Sequence, residues 1–467
     1  MSDSTKSSPR LRFLGAAGTV TGSRYVLETE ARMILVDCGL YQGLKPLRLR
    51  NWHPWPYDLS QLSAVVLTHA HIDHSGYLPR LYKLGYRGPV HCTRGTEALL
   101  KILLPDAAHL QEEEADFANR YGYSKHHPAE PLYTAADAEG AIGLLCPVDY
   151  GTAVDLGAGH ELALHPAGHL LGAASALLSF GEGSRRRRLL ASGDIGRYDD
   201  DFMADPAPPK GPVDYLLVES TYGNRTHPND DVEEQLVRVV HATVERGGIL
   251  LVPAFAVGRT QEILFRLARI EHSGRIPLID VYVDSPMAVD ATDIYRRFAR
   301  DLSFDWSKTP TRLATARTRF VKTTEDSKKL HDVSQRAIII SASGMATGGR
   351  ILHHLRRRLP DERNTVLFAG YQVDGTRGRK LVDGATTIKM LGQEVEVRAR
   401  IEDMRAFSAH GDRDDLLRWV GSLETIPRRT FVVHGEPIAA DALRDRLDDQ
   451  LGHDATVAQL DAVVRLT

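Results

Sequence analysis

Straight after the apolar run Ala-Val-Val-Leu at 64–67, the chain reads Thr68-His69-Ala70-His71-Ile72-Asp73-His74. Three imidazoles and a carboxylate fall within six residues, at the turn where a buried strand is expected to end. Imidazole nitrogen and carboxylate oxygen are the ligand types that suit Zn2+. The alternating spacing lets His69 and His71 face one metal while Asp73 and His74 turn toward a second. A lone histidine pair is more often structural; a cluster of this density is not accounted for in that way.

Two metals need more ligands than one turn carries, and the chain offers them in the same local setting. His169 follows the run ELALHPA, Asp194 closes RLLASGD, and His434 closes RTFVVH. Each stands just past a strand end, where α/β folds gather their sites on one rim. A carboxylate between two metals can bridge them, and Asp194 is the candidate. Asp37, in ILVDCG, is a further carboxylate after a strand. It reads as a partner that fixes a histidine tautomer, or as an ordinary turn-forming Asp. Singly, each of these residues could be a cap or a solvated side chain. Their combination with the histidine turn is what argues for a metal site.

The pattern of the chain changes along its length. Residues 1–10 read as a disordered tail. Up to about residue 58, short β-rich runs alternate with glycine turns (LRFLG, SRYVLE, RMILVDCG), as in the hairpins of an antiparallel sheet. Residues 95–120 predict a helix and 121–131 a polar loop, with a shorter helix after Thr134. The proline-rich stretch 204–212 marks a domain crossing. Beyond it come four strand-then-helix units: GGILLVPAF with GRTQEILFRLARI, PLIDVYVDS with AVDATDIYRRFA, AIIISASG with GGRILHHLRRRL, and NTVLFAGYQ with GTRGRKLVDG. Such alternation predicts a parallel sheet with helices on both faces. After about Met390 short strands return, with a helix at 413–423. The expected division is a first domain, residues 1–208 and 394–467, interrupted by an α/β insert at 209–393.

These residues, in this order, resemble the metallo-β-lactamase superfamily. More narrowly they resemble its β-CASP branch of RNA-processing nucleases, which includes the cleavage endonuclease of eukaryotic pre-mRNA 3′ processing. Glu219 in LLVESTYGNR, His410 in AFSAHGD and His434 in VVHGE match motifs A, B and C of that branch. The likeness runs from about residue 11 to 440. It implies an α/β fold: an αββα sandwich carrying an inserted parallel-sheet β-CASP domain. It also implies two Zn2+ per chain. His69, His71 and His169 would hold one, and Asp73, His74 and His434 the other, with Asp194 between them.

Two such metals acidify a water and clamp the phosphate. His410 would then protonate the leaving 3′-oxygen, with Glu219 orienting it and raising its pKa; Asp37 and Asp73 complete the catalytic set. The plainer reading of His410 is a helix-start residue beside an N-cap. Because water attacks rather than the ribose 2′-hydroxyl, the products would carry 5′-phosphate and 3′-hydroxyl ends. Histidine in motif C marks the RNA-acting members, so single-stranded RNA is the expected substrate. Endonucleolytic cleavage is expected, and the same chemistry serves a 5′-exonuclease. Dimerisation is implied at the family level alone.

The segment from Ser341 to Arg350 runs from a strand into a helix. Ser341, Ser343, Gly344, Thr347 and Gly348 form a candidate phosphate site, because small residues with free N–H groups at a helix N-terminus attract anions. A packing loop is the alternative. From Met345 to Lys380 there are eight Lys/Arg and three Asp/Glu, although the formal net charge of the chain is −3, a total that mildly opposes a nucleic-acid substrate. The run Arg185–Arg188 is either a basic patch or, more plainly, a solvated hairpin tip. His53, His126 and His127 read as loop residues, His353 and His354 as helix surface, and His165 as core or support.

Cys38, Cys92 and Cys146 form no CxxC pair and fit core positions in a reducing compartment. The N-terminal stretch shows no apolar secretory segment, and no apolar run approaches the ~18–20 residues of a membrane span. A cytoplasmic setting without membrane contact is expected. Two rival readings remain. A thioester or lactam hydrolase shares the metal turn but would lack motif B and the insert. A catalytically silent scaffold would have lost metal ligands.

Overall fold

The computed structural model describes residues 8–122, 124–228, 231–303, 313–370, 372–373, 375–404 and 407–467. Most of the expected N-terminal tail, and Tyr123 in the expected polar loop, therefore lie outside the described residues. The chain forms two compact units. One runs to Thr226 and resumes at His410; the other is His227–Ala409.

In the first unit two seven-stranded sheets face each other. One has the order Val463–Arg465, Arg10–Phe13, Tyr25–Glu28, Met33–Val36, Leu62–Val66, Val90–Thr93, Leu145–Val148. The other runs Ala455–Val457, Arg429–Val433, Tyr215–Glu219, Arg187–Ala191, Ala174–Phe180, His160–Pro166, Val154–Gly157. The opening strands pair as antiparallel hairpins, and from Met33–Val36 onward the first sheet is parallel. Strand side chains alternate between faces. Phe13, Leu27, Val36 and Val66 of one sheet thereby share a single buried core with Leu164, Leu178, Leu217 and Phe431 of the other. Arg94–Tyr121 packs on the outer side of the first sheet and Pro437–Leu451 on that of the second, which completes an αββα sandwich. The short helix Ala135–Ile142 starts at Thr134, whose side chain and Asp137 form a reciprocal capping box.

The second unit is built on a six-stranded, wholly parallel sheet. Its order is Thr318–Val321, Asp280–Asp284, Ala337–Ser341, Ile249–Pro253, Thr365–Phe368, Arg400–Asp403. All four expected strand–helix units are present. Period-two alternation sends Leu250 and Val252 to one face, under Val232–Glu245, Arg259–His272 and Pro286–Arg297. Ile249 and Leu251 face the other side, under Arg350–Arg358 and Arg377–Val382. Strands buried on both faces read as the continuous apolar runs seen here.

The boundaries of the insert differ from expectation. The proline-rich stretch 204–212 is not the crossing. The fully buried run Tyr215–Glu219 adds in parallel between Arg187–Ala191 and Arg429–Val433, so the chain stays in the first unit to Thr226. At the other end Arg400–Asp403 adds to Thr365–Phe368 and keeps the chain in the second unit to Ala409. The insert is therefore 227–409 and not 209–393. A short apolar strand does not reveal from its sequence which sheet it will join.

The arginine run takes the plainer of its two forms. Gly183–Arg185 is a single tight turn between the antiparallel strands Ala174–Phe180 and Arg187–Ala191. Arg186 lies 3.4 Å from Glu161 and Arg187 lies 3.9 Å from Asp214, so nearby carboxylates answer part of the charge.

His354 is not on a helix surface. It is buried, and its Nε2 lies 2.7 Å from Oδ2 of the buried Asp284. With Ile351 and Leu355 forming the inward face of Arg350–Arg358, a residue three positions after the first shares that face. Ser327 Oγ donates to the same Asp284 oxygen at 2.7 Å, and Arg350 Nη1 donates to the other at 2.9 Å. Burial raises the Asp284 pKa, but the hydrogen bonds from His354 and Ser327 outweigh it and hold the carboxyl below its ordinary value. Asp284→Ala leaves the buried His354 imidazole and Ser327 hydroxyl without this acceptor and removes the charge partner of the part-buried Arg350. It should lower stability by about 3–5 kcal/mol in equilibrium denaturant unfolding against the wild type.

Candidate metal centre

Each donor stands where a strand of the first unit ends. Leu62–Val66 delivers the histidine turn, which continues into the short helix Ile72–Ser75. His160–Pro166 leads to His169, Arg187–Ala191 to Asp194, and Arg429–Val433 to His434. Ser23, just before Tyr25–Glu28, and the loop after Met33–Val36 brace the turn from behind. Ser23 N donates to Asp73 O at 2.8 Å and Cys38 N to His74 O at 2.7 Å. A Cβ on Gly39 would stand 1.6 Å from Asp73 O, so only glycine permits this close approach.

The donors converge as two groups. In the first, His69 Nε2 and His169 Nε2 each lie 3.1 Å from His71 Nδ1. Asp194 Oδ2 is 3.5 Å from His69 Nε2 and 3.6 Å from His169 Nε2. In the second, His74 Nε2 is 3.1 Å from His434 Nε2, which is 3.5 Å from Asp73 Oδ2. Asp194 Oδ1 reaches this group, 3.2 Å from His74 Nε2, without hydrogen-bond geometry. Tetrahedral zinc with Zn–N of ~2.0–2.1 Å places ligand atoms about 3.3 Å apart. The spacings of 3.1–3.6 Å fit that requirement, and a buried carboxylate oxygen aimed into the second group without a hydrogen bond fits a cation there.

The electrostatics agree with ligand chemistry, since metal ligands must be deprotonated. Burial lowers the His71 pKa to about 4 and pushes His69 well below its ordinary value, so both rings present lone pairs near neutrality. His74 is the exception. Burial lowers its pKa, but the carboxylates of Asp194 and Asp37 outweigh that and hold a proton well above the usual range. Asp37 Oδ2 accepts from His74 Nδ1 at 2.7 Å, which leaves Nε2 as the atom facing the site. Asp37 is itself fixed by Thr68, whose N donates to Oδ1 at 2.8 Å.

His410 lies at the edge of the first group, with Nε2 3.9 Å from Asp194 Oδ2. Its Nδ1 is 3.2 Å from Oε1 of the fully buried Glu219. Ile195 N donates to the same Glu219 oxygen at 2.8 Å and Thr221 N to the other at 3.1 Å, so the carboxylate is pinned from both sides. Burial lowers the His410 pKa, but the charges of Glu219 and Asp194 reverse this and raise it to about 9.

Two supporting groups escaped the sequence reading. Thr68 Oγ1 lies 3.0 Å from Asp37 and 3.1 Å from His69 Nδ1. Thr221 Oγ1 is 3.2 Å from His434 Nδ1, which also lies 3.5 Å from Asp194 Oδ1, while Nε2 faces His74 and Asp73. The only signal for either was adjacency to a motif residue. His165 stands within the strand His160–Pro166, with burial lowering its pKa, and is not among these donors.

The proposed phosphate loop lies in the second unit. Ser341 is removed from it: the hydroxyl is buried and donates to Asp284 O at 2.9 Å. Ser343 Oγ and the exposed Thr347 Oγ1 are 2.9 Å apart, Gly344 is buried, and Gly348 precedes the N-cap of Arg350–Arg358.

Comparison with known proteins places this geometry. Residues 32–251 match the Beta-lactamase superfamily domain, 260–381 the Beta-Casp domain, and 394–458 the Zn-dependent metallo-hydrolase RNA specificity domain. Ribonuclease TTHA0252 of Thermus thermophilus is 39% identical over 429 residues, covering 90% of this chain and 92% of that protein. Transcription termination factor FttA of Methanocaldococcus jannaschii is 32% identical, covering 91% of this chain and 67% of its own length; that of Methanosarcina mazei is 34% identical with the same coverage. A crystal structure of a protein of unknown function from Enterococcus faecalis V583 shares the fold at a TM-score of 0.55 and 13% identity, over 98% of this chain and 100% of that one.

The chain belongs to the β-CASP branch of the metallo-β-lactamase superfamily. It is a metal-dependent hydrolase. Removing the carboxylate that orients His74, as in Asp37→Ala, should weaken metal affinity about 10–100-fold in chelator competition.

Proposed function

We propose that this chain is a zinc-dependent ribonuclease. It binds two Zn2+ and hydrolyses phosphodiester bonds within single-stranded RNA, leaving 5′-phosphate and 3′-hydroxyl ends. The observation that carries the reading is the position of His410, with Nε2 directed to the Asp194 edge of the donor groups and Nδ1 against a buried carboxylate. The match of residues 394–458 to an RNA specificity domain, and the Thermus relative named a ribonuclease, support RNA as the substrate.

His69, His71 and His169 would hold one metal and Asp73, His74 and His434 the other, with one Asp194 oxygen for each group. When bound, the metals supply an acidified water and neutralise charge on the phosphate. The chain's own residues do the rest. Glu219 keeps the Nδ1 proton of His410 in place, so Nε2 carries the mobile proton and delivers it to the leaving 3′-oxygen. Asp37 and Thr221 fix the tautomers of His74 and His434. Ser343, Thr347 and the backbone at Gly344 and Gly348 would contact a phosphate of the RNA backbone.

The zinc-loaded protein should nick a circular single-stranded RNA, and His410→Ala should slow this about 10²–10⁴-fold. A circle left intact while linear RNA is shortened from its 5′ end would replace internal cleavage with exonuclease action. A protein that degrades neither RNA would sink the reading.

An acid that works protonated loses rate as pH rises through its pKa. Bound cations offset the Asp194 charge, so the alkaline limb should fall at or below about 9. Glu219→Gln removes the principal charge holding that proton and should move the limb to lower pH. A pH–rate profile with an unchanged limb would exclude His410 as the acid.

A further inference from the structure

The loop that leaves the metal centre's own rim carries a surface the catalytic scheme does not use. After Met33–Val36 the chain passes Asp37 and Gly39, which lie against the histidine turn, and then rises into Lys45–Leu49 and Arg50–Trp52. Met33–Val36 and Leu62–Val66 are parallel neighbours, so this loop and the turn Thr68–His74 leave the same edge of one sheet. Leu44 is five residues beyond Gly39, a reach of roughly 18 Å at most.

The composition of the loop is unusual for a solvated surface. Leu44 is 72% exposed, Leu49 51% and Trp52 48%, although exposed large apolar groups gathered on one segment mark interaction sites. Residues 42–57 contain Lys45, Arg48 and Arg50 and no carboxylate. Arg50 is taken up by Asp461 at 2.9 Å, while Lys45 and Arg48 are exposed. The Arg80 guanidinium lies 5.9 Å from the Trp52 ring centroid.

The root of the loop is held firmly. Asn51 is buried, accepts from Tyr41 N at 3.0 Å and donates to Tyr41 O at 2.8 Å. The buried Arg24 donates to Asn51 Oδ1 at 3.1 Å and to Gly39 O at 2.8 Å. The apolar groups are therefore presented by a pre-set loop, which lowers the ordering cost of binding.

We propose that the Leu44–Trp52 loop is a substrate platform: Trp52 stacks on an unpaired base of the RNA flanking the cleavage site, and Lys45 and Arg48 contact its phosphates. An exposed aromatic ring on a segment that also carries exposed cations is what sequence-tolerant recognition of single strands requires, and the lack of carboxylates in residues 42–57 suits a polyanion better than a second protein surface. The proposal rests on the ribonuclease reading, because it assigns RNA as the occupant.

The test uses the zinc-loaded enzyme with an unstructured RNA oligonucleotide. Cleavage is followed for KM and kcat, and anisotropy is read in a His410→Ala background. Trp52→Ala should raise KM and Kd about tenfold with kcat retained, and Trp52→Phe should restore most of the affinity. Lys45→Glu with Arg48→Glu should weaken binding and reduce the slope of log K against log salt by about 1.4, the value for two single-strand phosphate contacts. Wild type that cuts RNA while Trp52→Ala keeps its KM and Kd overturns the platform alone. The same result with a changed sedimentation coefficient reassigns the loop to a protein–protein contact. Wild type that neither binds nor cuts RNA overturns both readings.

Discussion

A single buried carboxylate, Asp194, sits between two groups of donors and shares its oxygens between them. Oδ2 faces His69 and His169, and Oδ1 faces His74. Such a group in a protein interior requires compensating charge or strong hydrogen bonds. Burial would raise its pKa, but the surrounding imidazoles, His434 and His74 foremost, hold it well below the ordinary carboxylate range. Those rings must therefore be delivered from three strand ends to within a few ångströms of one point. The two sheets of the first unit, packed through their shared core, provide that convergence. The apolar core and the polar centre are one structural problem: the core sets the strand directions, and the directions set the donor positions.

Support behind the donors follows the same logic at shorter range. Thr68 fixes Asp37, Asp37 fixes His74, and Thr221 sets His434. Asp37 and His434 both occupy left-handed backbone, at φ 59° and 48°. That conformation is costly for a side chain other than glycine or Asn/Asp, and it persists where the surroundings over-determine it. His434 N donates to Ala16 O at 2.7 Å and Ser220 N donates to His434 O at 3.2 Å, so both backbone groups are held. Glu219 and His410 form a second buried carboxylate–imidazole pair beside the first. Two such pairs stand at one rim: Asp37 fixes the ring of His74, and Glu219 holds a proton on His410.

The donor set was legible in the sequence because ligands at strand ends follow local patterns. The spacing of His69, His71, Asp73 and His74 is short enough for the chain itself to impose, and the strands before His169, Asp194 and His434 announce themselves as apolar runs. The four strand–helix units were legible for the same reason, since period and punctuation are local properties. The limits of the insert were not. Tyr215–Glu219 and Arg400–Asp403 are short strands whose sequences serve either sheet, and their partners are chosen by long-range pairing. His354 was misread because adjacent histidines beside arginines look solvated, and only Asp284, seventy residues earlier in the chain, makes the buried position tolerable.

By itself the sequence determined the family, the donor types and their order along the chain, because each is written in contiguous motifs. Tertiary structure alone decided which oxygen of Asp194 serves which group, which nitrogen of each ring faces inward, and that the Ser341 hydroxyl is spent on the backbone of Asp284. These are matters of direction at separations of tens to hundreds of residues. A side chain's chemistry is carried by its identity, but its orientation is set by whatever distant neighbour completes its hydrogen bonds.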